Sequence, residues 1–275
     1  MSTTSQKFSS TENIGATSAN YTGALIDIED VCLDVHQGTV VETAGDVALF
    51  AYGSNEEIIH LHQDLSDCID KLDGTNACPL LAIKNADMLY SEPLVVSNKE
   101  SLKRKVEEII HDLPSQINDS RDATQLSNVD EALEVLKSKG LLARRYDLNE
   151  LITDQLPAND VQKTTLLQKA VMNLAEQNPS AAVYTCNPIC NTIGFVNNTF
   201  IIVDMHRIST ELGGSGNALI KLVHCEATSE SKSAGANAVL DWLEQRMTSV
   251  VGKKEEASLY YIWLSMVVVH VNLLR

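Results

Sequence analysis

Apolar residues first recur at helical spacing at Tyr21, Leu25, Ile28, Cys32 and Val35, with Asp27, Glu29, Asp30 and Asp34 lying between them. That period predicts a helix with one buried and one acidic face, ended by Gly38. Residues 1–17 are polar, rich in Ser and Thr and without period, and read as an extended lead-in. Residues 40–52 read as extended chain interrupted at Gly45-Asp46, and 80–83 and 94–96 are short strand candidates. Ser97 with Glu100 then forms a capping-box signature ahead of Leu102, Val106, Ile109 and Leu113, and Pro114 closes that helix. Asn128 with Glu131 repeats the signature before Leu133 and Leu136, and Gly140 ends it. A third helix spans about 163–176, so the middle of the chain, about 97–177, is helical.

From residue 181 the pattern changes to short apolar runs, at 181–186, 192–197, 199–204 and 217–223. Asn197-Asn198 suits a tight hairpin, because Asn accepts positive φ better than most residues. A helix carrying Ala234, Val239, Leu243 and Met247 follows. The predicted architecture is α+β: an amino-terminal helix on a mostly antiparallel sheet, about 181–223, with a helical insert. One domain, 18–250, is expected, followed by an apolar segment, 251–275.

With 275 residues, 44% of them hydrophobic, the chain can bury a full core. Lys and Arg number 21 against 37 Asp and Glu, and the first hundred residues hold 4 basic and 16 acidic side chains. Nucleic-acid affinity comes largely from cations that displace phosphate counterions, so this balance argues against DNA or RNA and for a basic protein partner. The six cysteines, at 32, 68, 78, 186, 190 and 225, are scattered, and the amino terminus shows no basic-then-apolar signal pattern. A reducing compartment, cytoplasm or nucleus, is expected. Residues 259–274 fall about four short of the roughly 20 that a membrane span needs and include Ser265, His270 and Asn272. A buried terminal helix or strand is expected there, with a tail anchor as the alternative.

Asp204 and His206 lie two apart at the end of the run Phe200-Ile201-Ile202-Val203, so both side chains should leave one face of one strand. A carboxylate beside an imidazole fixes its tautomer and stabilises the imidazolium, as a thiol-activating base requires. The plain alternative is a strand end with two polar residues. No metal or other cofactor is expected. Cys186 and Cys190 lack the spacing of a zinc knuckle, and His60 and His62 have no evident third ligand. Gly213-Gly214-Ser215-Gly216 lacks the Lys and the setting of a phosphate loop and reads as a turn. Cys32 falls on an apolar helix face, as a small buried hydrophobe would, while neither Cys190 nor Cys225 visibly opens a helix.

The succession of apolar strand, Asn turn, Phe200 to His206, the glycine loop and Asn217-Ala218-Leu219-Ile220 resembles a known family over about 181–247. It is similar to the ubiquitin-specific cysteine proteases at the amino end of herpesvirus large tegument proteins and their relatives in animal and mobile-element proteins; residues 54–177 match loosely. The resemblance implies a papain-like cysteine-protease fold, with His206 as base, Asp204 as its orienting partner and ubiquitin or a ubiquitin-like tail as the partner, in a protein that could be virion-associated. It also implies a nucleophile opening an amphipathic helix near the amino terminus. Gly15-Ala16-Thr17-Ser18 stands there, with Ser18 in the cysteine's position and Gln6, twelve residues earlier, in that of the oxyanion glutamine. A helix amino terminus that stabilises a thiolate does little for a hydroxyl. Ser18 is also a good N-cap. The expectation is therefore a deubiquitinase-like fold that is inactive as written; an active thiol protease and a structural or tegument-type interaction protein are the alternatives.

Overall fold

Three consecutive strands are buried at nearly every position, and they set the architecture: β6 (Ile189–Val196), β7 (Thr199–Asp204) and β8 (Leu219–His224). A strand that is apolar on both faces must be covered on both. The computed structural model describes residues 40–44, 47–50, 55–65, 77–117, 128–144, 146–156, 161–186, 189–251 and 255–264. The chain divides into Met1–Val31 and Cys32–Arg275, and all the described residues belong to the second unit.

The remaining described strands are β1 (Val40–Ala44), β2 (Val47–Phe50), β3 (Glu56–His60), β4 (Tyr146–Leu156), β5 (Ser180–Cys186) and β9 (Glu255–Leu264). They form one sheet in the order β1-β2-β3-β8-β7-β6-β5-β9-β4, antiparallel at every pairing. Helices α1 (Cys78–Ser91), α2 (Lys99–Ile117) and α3 (Val129–Ser138) share a core with Val183, Cys190, Ile201, Val203, Ile220 and Leu222 on one face. Helices α4 (Val161–Glu176) and α5 (Ser229–Val251) cover Ala182, Tyr184, Ile193, Phe195, Phe200 and Ile202 on the other. The α+β class expected from the sequence is present, with helices on both faces of the antiparallel sheet.

Several local expectations hold for the stated physical reasons. Asn197 and Asn198 both adopt positive φ, at 51° and 58°, in the β6–β7 turn. Asn128 and Glu131 form a complete capping box at α3. Beyond that helix Gly140 takes φ +65°, with Gly140 N–H bonded to the Lys137 carbonyl and Leu141 N–H to that of Leu136. Strand β1 ends at Ala44 and β2 begins at Val47.

Others are corrected. Residues 80–83 belong to α1, which is apolar almost all round and buried at Cys78, Pro79, Leu80, Leu81, Ala82 and Ile83; a fully buried helix shows no amphipathic period. Residues 94–96 lie in a 3-10 turn, Pro93–Ser97. The cap of α2 is Asn98, whose Oδ1 accepts from Ser101 N–H at 2.9 Å, so the helix starts one residue later than the Ser97 signature implied. Pro114 does not end α2: Leu113, Pro114 and Ile117 are all buried, and that burial carries the helix past one missing hydrogen bond. The helical middle also contains β4, whose alternation is masked by a register shift between Glu150 and Ile152. In the apolar carboxy-terminal segment, where a terminal helix or strand was expected, residues 255–264 form the strand β9, paired on both sides by β5 and β4. No helix among the described residues is long and apolar enough to cross a membrane. The expected helix over Tyr21–Val35 lies outside the described residues.

The glycine loop is a turn, as expected, and its tightest point is Gly214. A Cβ there would stand 2.0 Å from the Ile208 carbonyl oxygen and 2.4 Å from its carbon, both backbone atoms that cannot yield. Gly214→Ala is expected to destabilise the fold by about 2–3 kcal/mol, and Asn128→Ala by about 1 kcal/mol through loss of the cap. Both are read from urea-unfolding midpoints.

Candidate active site

Asp204 ends β7 and is fully buried. An isolated carboxylate there would be costly, and three neighbours compensate. Arg246 of α5, itself buried, donates from Nε to Asp204 Oδ2 at 2.9 Å and from a terminal nitrogen to the Arg207 carbonyl at 3.0 Å. Asn191 of β6, with its amide nitrogen assigned by hydrogen bonding, donates to Asp204 Oδ1 and to the Cys190 carbonyl, each at 3.1 Å. His206 donates from Nδ1 to Oδ1 at 2.7 Å and from its backbone N–H to the same oxygen at 3.0 Å. Burial alone would raise the Asp204 pKa, but the Arg246 charge and then His206 hold it well below the usual carboxylate range. His206 lies two residues beyond the strand end, so the pair closes through a turn and does not project from one strand face as expected.

That turn is clamped from outside. Leu65 N–H bonds the Met205 carbonyl at 2.8 Å, and Arg207 Nε donates to buried Asp64 at 2.8 Å. Asn85 of α1 donates to the Met205 sulfur at 3.1 Å. The imidazole is thus fixed with Nδ1 turned to Asp204, and the opposite atom, Nε2, is buried with no nitrogen or oxygen partner among the described residues.

The buried thiol of Cys78, the first residue of α1, also acts electrostatically on His206. Ala77 precedes it, Pro79 lies in the first turn, and that turn contains no acidic side chain and no side-chain cap. Proline is well suited to a helix start, where its missing N–H is no loss. The positive end of the helix therefore acts on the sulfur without an acidic residue of its own turn to offset it. The Cys78 pKa is lowered to about 6 by a hydrogen bond from Cys190, against burial, and then by the hydrogen bond and charge of His206. Burial works to lower the His206 pKa, but the charge and hydrogen bond of Asp204, with a further contribution from Cys78, raise it to about 9. Between these values the favoured state is a thiolate beside an imidazolium.

The structure brings together Asp204 and His206 from the sequence reading; Ser18 and Gln6 lie outside the described residues. Cys78, Asn191 and Arg246 were not anticipated. The Cys-Pro pair was the one available signal for Cys78, since it can open a helix, but the apolar run after it reads equally well as a strand. Asn191 and Arg246 left no local signal, because they are 13 and 42 residues from Asp204. His60 and His62 have separate partners: His60 Nε2 donates to the Gly213 carbonyl at 2.7 Å, and exposed His62 pairs with Glu107 at 3.1 Å.

No family model and no curated protein matches the chain. Among solved structures it is similar to the ubiquitin-specific protease encoded by murine cytomegalovirus tegument protein M48, in complex with a ubiquitin-based suicide substrate. The identity is 10%, with 77% of this chain and 88% of that chain covered and a TM-score of 0.43.

Thiolate chemistry at Cys78 is directly measurable. At pH 7 iodoacetamide should modify Cys78 ahead of Cys190 and Cys225, whose thiols burial pushes up, with an inflection near pH 6. His206→Ala should move that inflection upward, because it removes the imidazolium that favours the thiolate; peptide mass mapping across a pH series reads both.

Proposed function

We propose that this protein is a thiol hydrolase in which Cys78 is the nucleophile, His206 the general base and acid, and Asp204 the residue that orients His206. The observation that supports this most strongly is a low-pKa thiol at a helix amino terminus interacting with an imidazole whose other nitrogen is held by a buried carboxylate. The substrate class is the carboxy-terminal amide of ubiquitin or a ubiquitin-like tail. That assignment draws on the sequence resemblance over about 181–247, which includes the Asp-x-His pair.

In the reaction the Cys78 thiolate attacks the substrate carbonyl carbon, and the electron pair of the C=O bond moves to oxygen. Backbone N–H groups at the start of α1 are the candidate donors to that oxyanion. His206 gives its Nε2 proton to the leaving amine as the C–N bond breaks, which leaves a thioester. Neutral His206 then takes a proton from water, the hydroxide attacks the thioester carbonyl, the C–S bond breaks to return the Cys78 thiolate, and the carboxylic acid product gives its proton to solvent. Arg246 and Asn191 keep Asp204 ionised and in place throughout.

The expectation of an inactive protein rested on Ser18 in the nucleophile position. With Cys78 as the thiol, Ser18 has no required role in this reading, and Gln6, which owes its place to its separation from Ser18, has none either. A ubiquitin bearing a carboxy-terminal electrophile should label the wild-type protein and Ser18→Ala, and should not label Cys78→Ala. Labelling that persists in Cys78→Ala would assign the nucleophile elsewhere. No labelling of a folded, iodoacetamide-reactive wild type would favour a non-catalytic interaction protein.

The pH dependence has a definite sign. The rate on a ubiquitin amide should rise through about pH 6 as Cys78 ionises and fall through about pH 9 as His206 loses its proton. In Asp204→Asn the upper limb should move to lower pH, because the charge that raises the His206 pKa is gone. The kcat/KM profiles of the two proteins measure this.

A further inference from the structure

We infer that Asn85 is a positioning residue of this site: its amide hydrogen-bonds the Met205 side chain and so fixes the turn that carries His206 against the helix that carries Cys78. The inference rests on the thiol-hydrolase reading and adds a residue to it.

Helix α1 meets the sheet along one stripe. Cys78, Ala82, Asn85 and Leu89 recur at spacings of four, three and four, so they share a face of the helix, and all four are buried. Two contacts fix this stripe on β6: Thr192 Oγ1 donates to the Ala82 carbonyl at 2.8 Å, and a Cβ on Gly194 would stand 2.7 Å from Leu89 Cδ1. Asn85 stands between them along the helix, about 10.5 Å from Cys78 along the axis, two turns on. Its amide nitrogen carries two hydrogens and uses both, one on the Leu81 carbonyl a turn back at 2.9 Å and one on the Met205 sulfur at 3.1 Å. A carbonyl can only accept, so the Leu81 bond fixes which amide atom is the nitrogen.

Met205 lies between Asp204 and His206, and its side chain is fully buried in the core under α1. An unbranched thioether adapts to many positions of a neighbouring helix, and the amide bond selects one of them. The backbone of the turn is held by Leu65 at the Met205 carbonyl and by Arg246 at the Arg207 carbonyl, and neither of those partners belongs to α1. Asn85 ties the turn to α1 directly. Leucine would fill the same place more stably, because Asn85 Oδ1 is buried without a partner among the described residues, and an unpaired buried oxygen weakens a core. An amide that weakens the core while joining the two halves of the site acts as a positioning group and not as packing.

Asn85→Leu and Met205→Leu delete the bond from its two ends and nearly conserve volume. In the full chain, the urea-unfolding midpoint, the solvent-exchange rate of the His206 Nδ1–H proton by NMR, and kcat and KM on a ubiquitin amide are compared. Asn85→Leu is expected to unfold at the wild-type urea concentration or above it, with Nδ1–H exchange about tenfold faster and kcat about tenfold lower at nearly constant KM. Met205→Leu should reproduce both changes, and the double variant should add little to either. Unchanged exchange and kcat in a folded Asn85→Leu, or effects that add in the double variant, would overturn the inference. If Asn85→Leu does not fold, Met205→Leu decides by the same measures. A wild type that turns over no ubiquitin amide, while both variants still speed the exchange, would refute the hydrolase reading and support the tether.

Discussion

The buried charge of Asp204 is the constraint on which the rest of the site depends. A carboxylate with no solvent exposure is tolerated only where cations and donors surround it, and breaking such a pair typically costs about 3–5 kcal/mol. Its partners come from three places: Arg246 from the helix covering one sheet face, Asn191 from the neighbouring strand, and His206 from the turn that follows. Satisfying Asp204 therefore fixes the imidazole. The same contacts tie α5 to the strand end, so the stability of the fold and the orientation of the base come from one set of bonds.

The second half of the site depends on the sheet being covered on both faces. Asp204 and Asn191 point to the side of α4 and α5, whereas Cys78 and Cys190 belong to the core under α1, α2 and α3. The active centre straddles the sheet at the end of β7, and the turn at residues 205–207 carries His206 from one side to the other. Bonds from Leu65, Asp64 and Asn85 to that turn keep the crossing in place. On the opposite side, the close approach of α1 to β6 at Thr192 and Gly194 sets the height of the helix and with it the position of its first residue.

Local features with a short-range cause were legible in the sequence. The Asn197-Asn198 turn, the Asn128 capping box, the Gly140 stop and the strands at β5 to β8 each depend on residues a few positions apart. The Asp-x-His pair belongs to this class, since the bond spans two residues. Features that depend on burial were not legible in the same way. Helix α1 is buried on nearly all sides, Asn85 and Asp87 included, because the core encloses it, so its sequence has no clear helical period. Pro114 sits inside α2 because three buried neighbours outweigh one lost hydrogen bond.

By itself the sequence determined the α+β class, the Asn197-Asn198 turn, the Asn128 cap and Gly140 stop of α3, and a histidine beside a carboxylate. It could not join Cys78 to His206, because the two are 128 positions apart and nothing along the chain links them. The ionisation of a thiol depends on its surroundings, and for Cys78 these are a helix terminus and an imidazole brought by different elements. Only the packing of α1 on the sheet sets them, so the pKa of Cys78 is a property of that packing rather than of the residue.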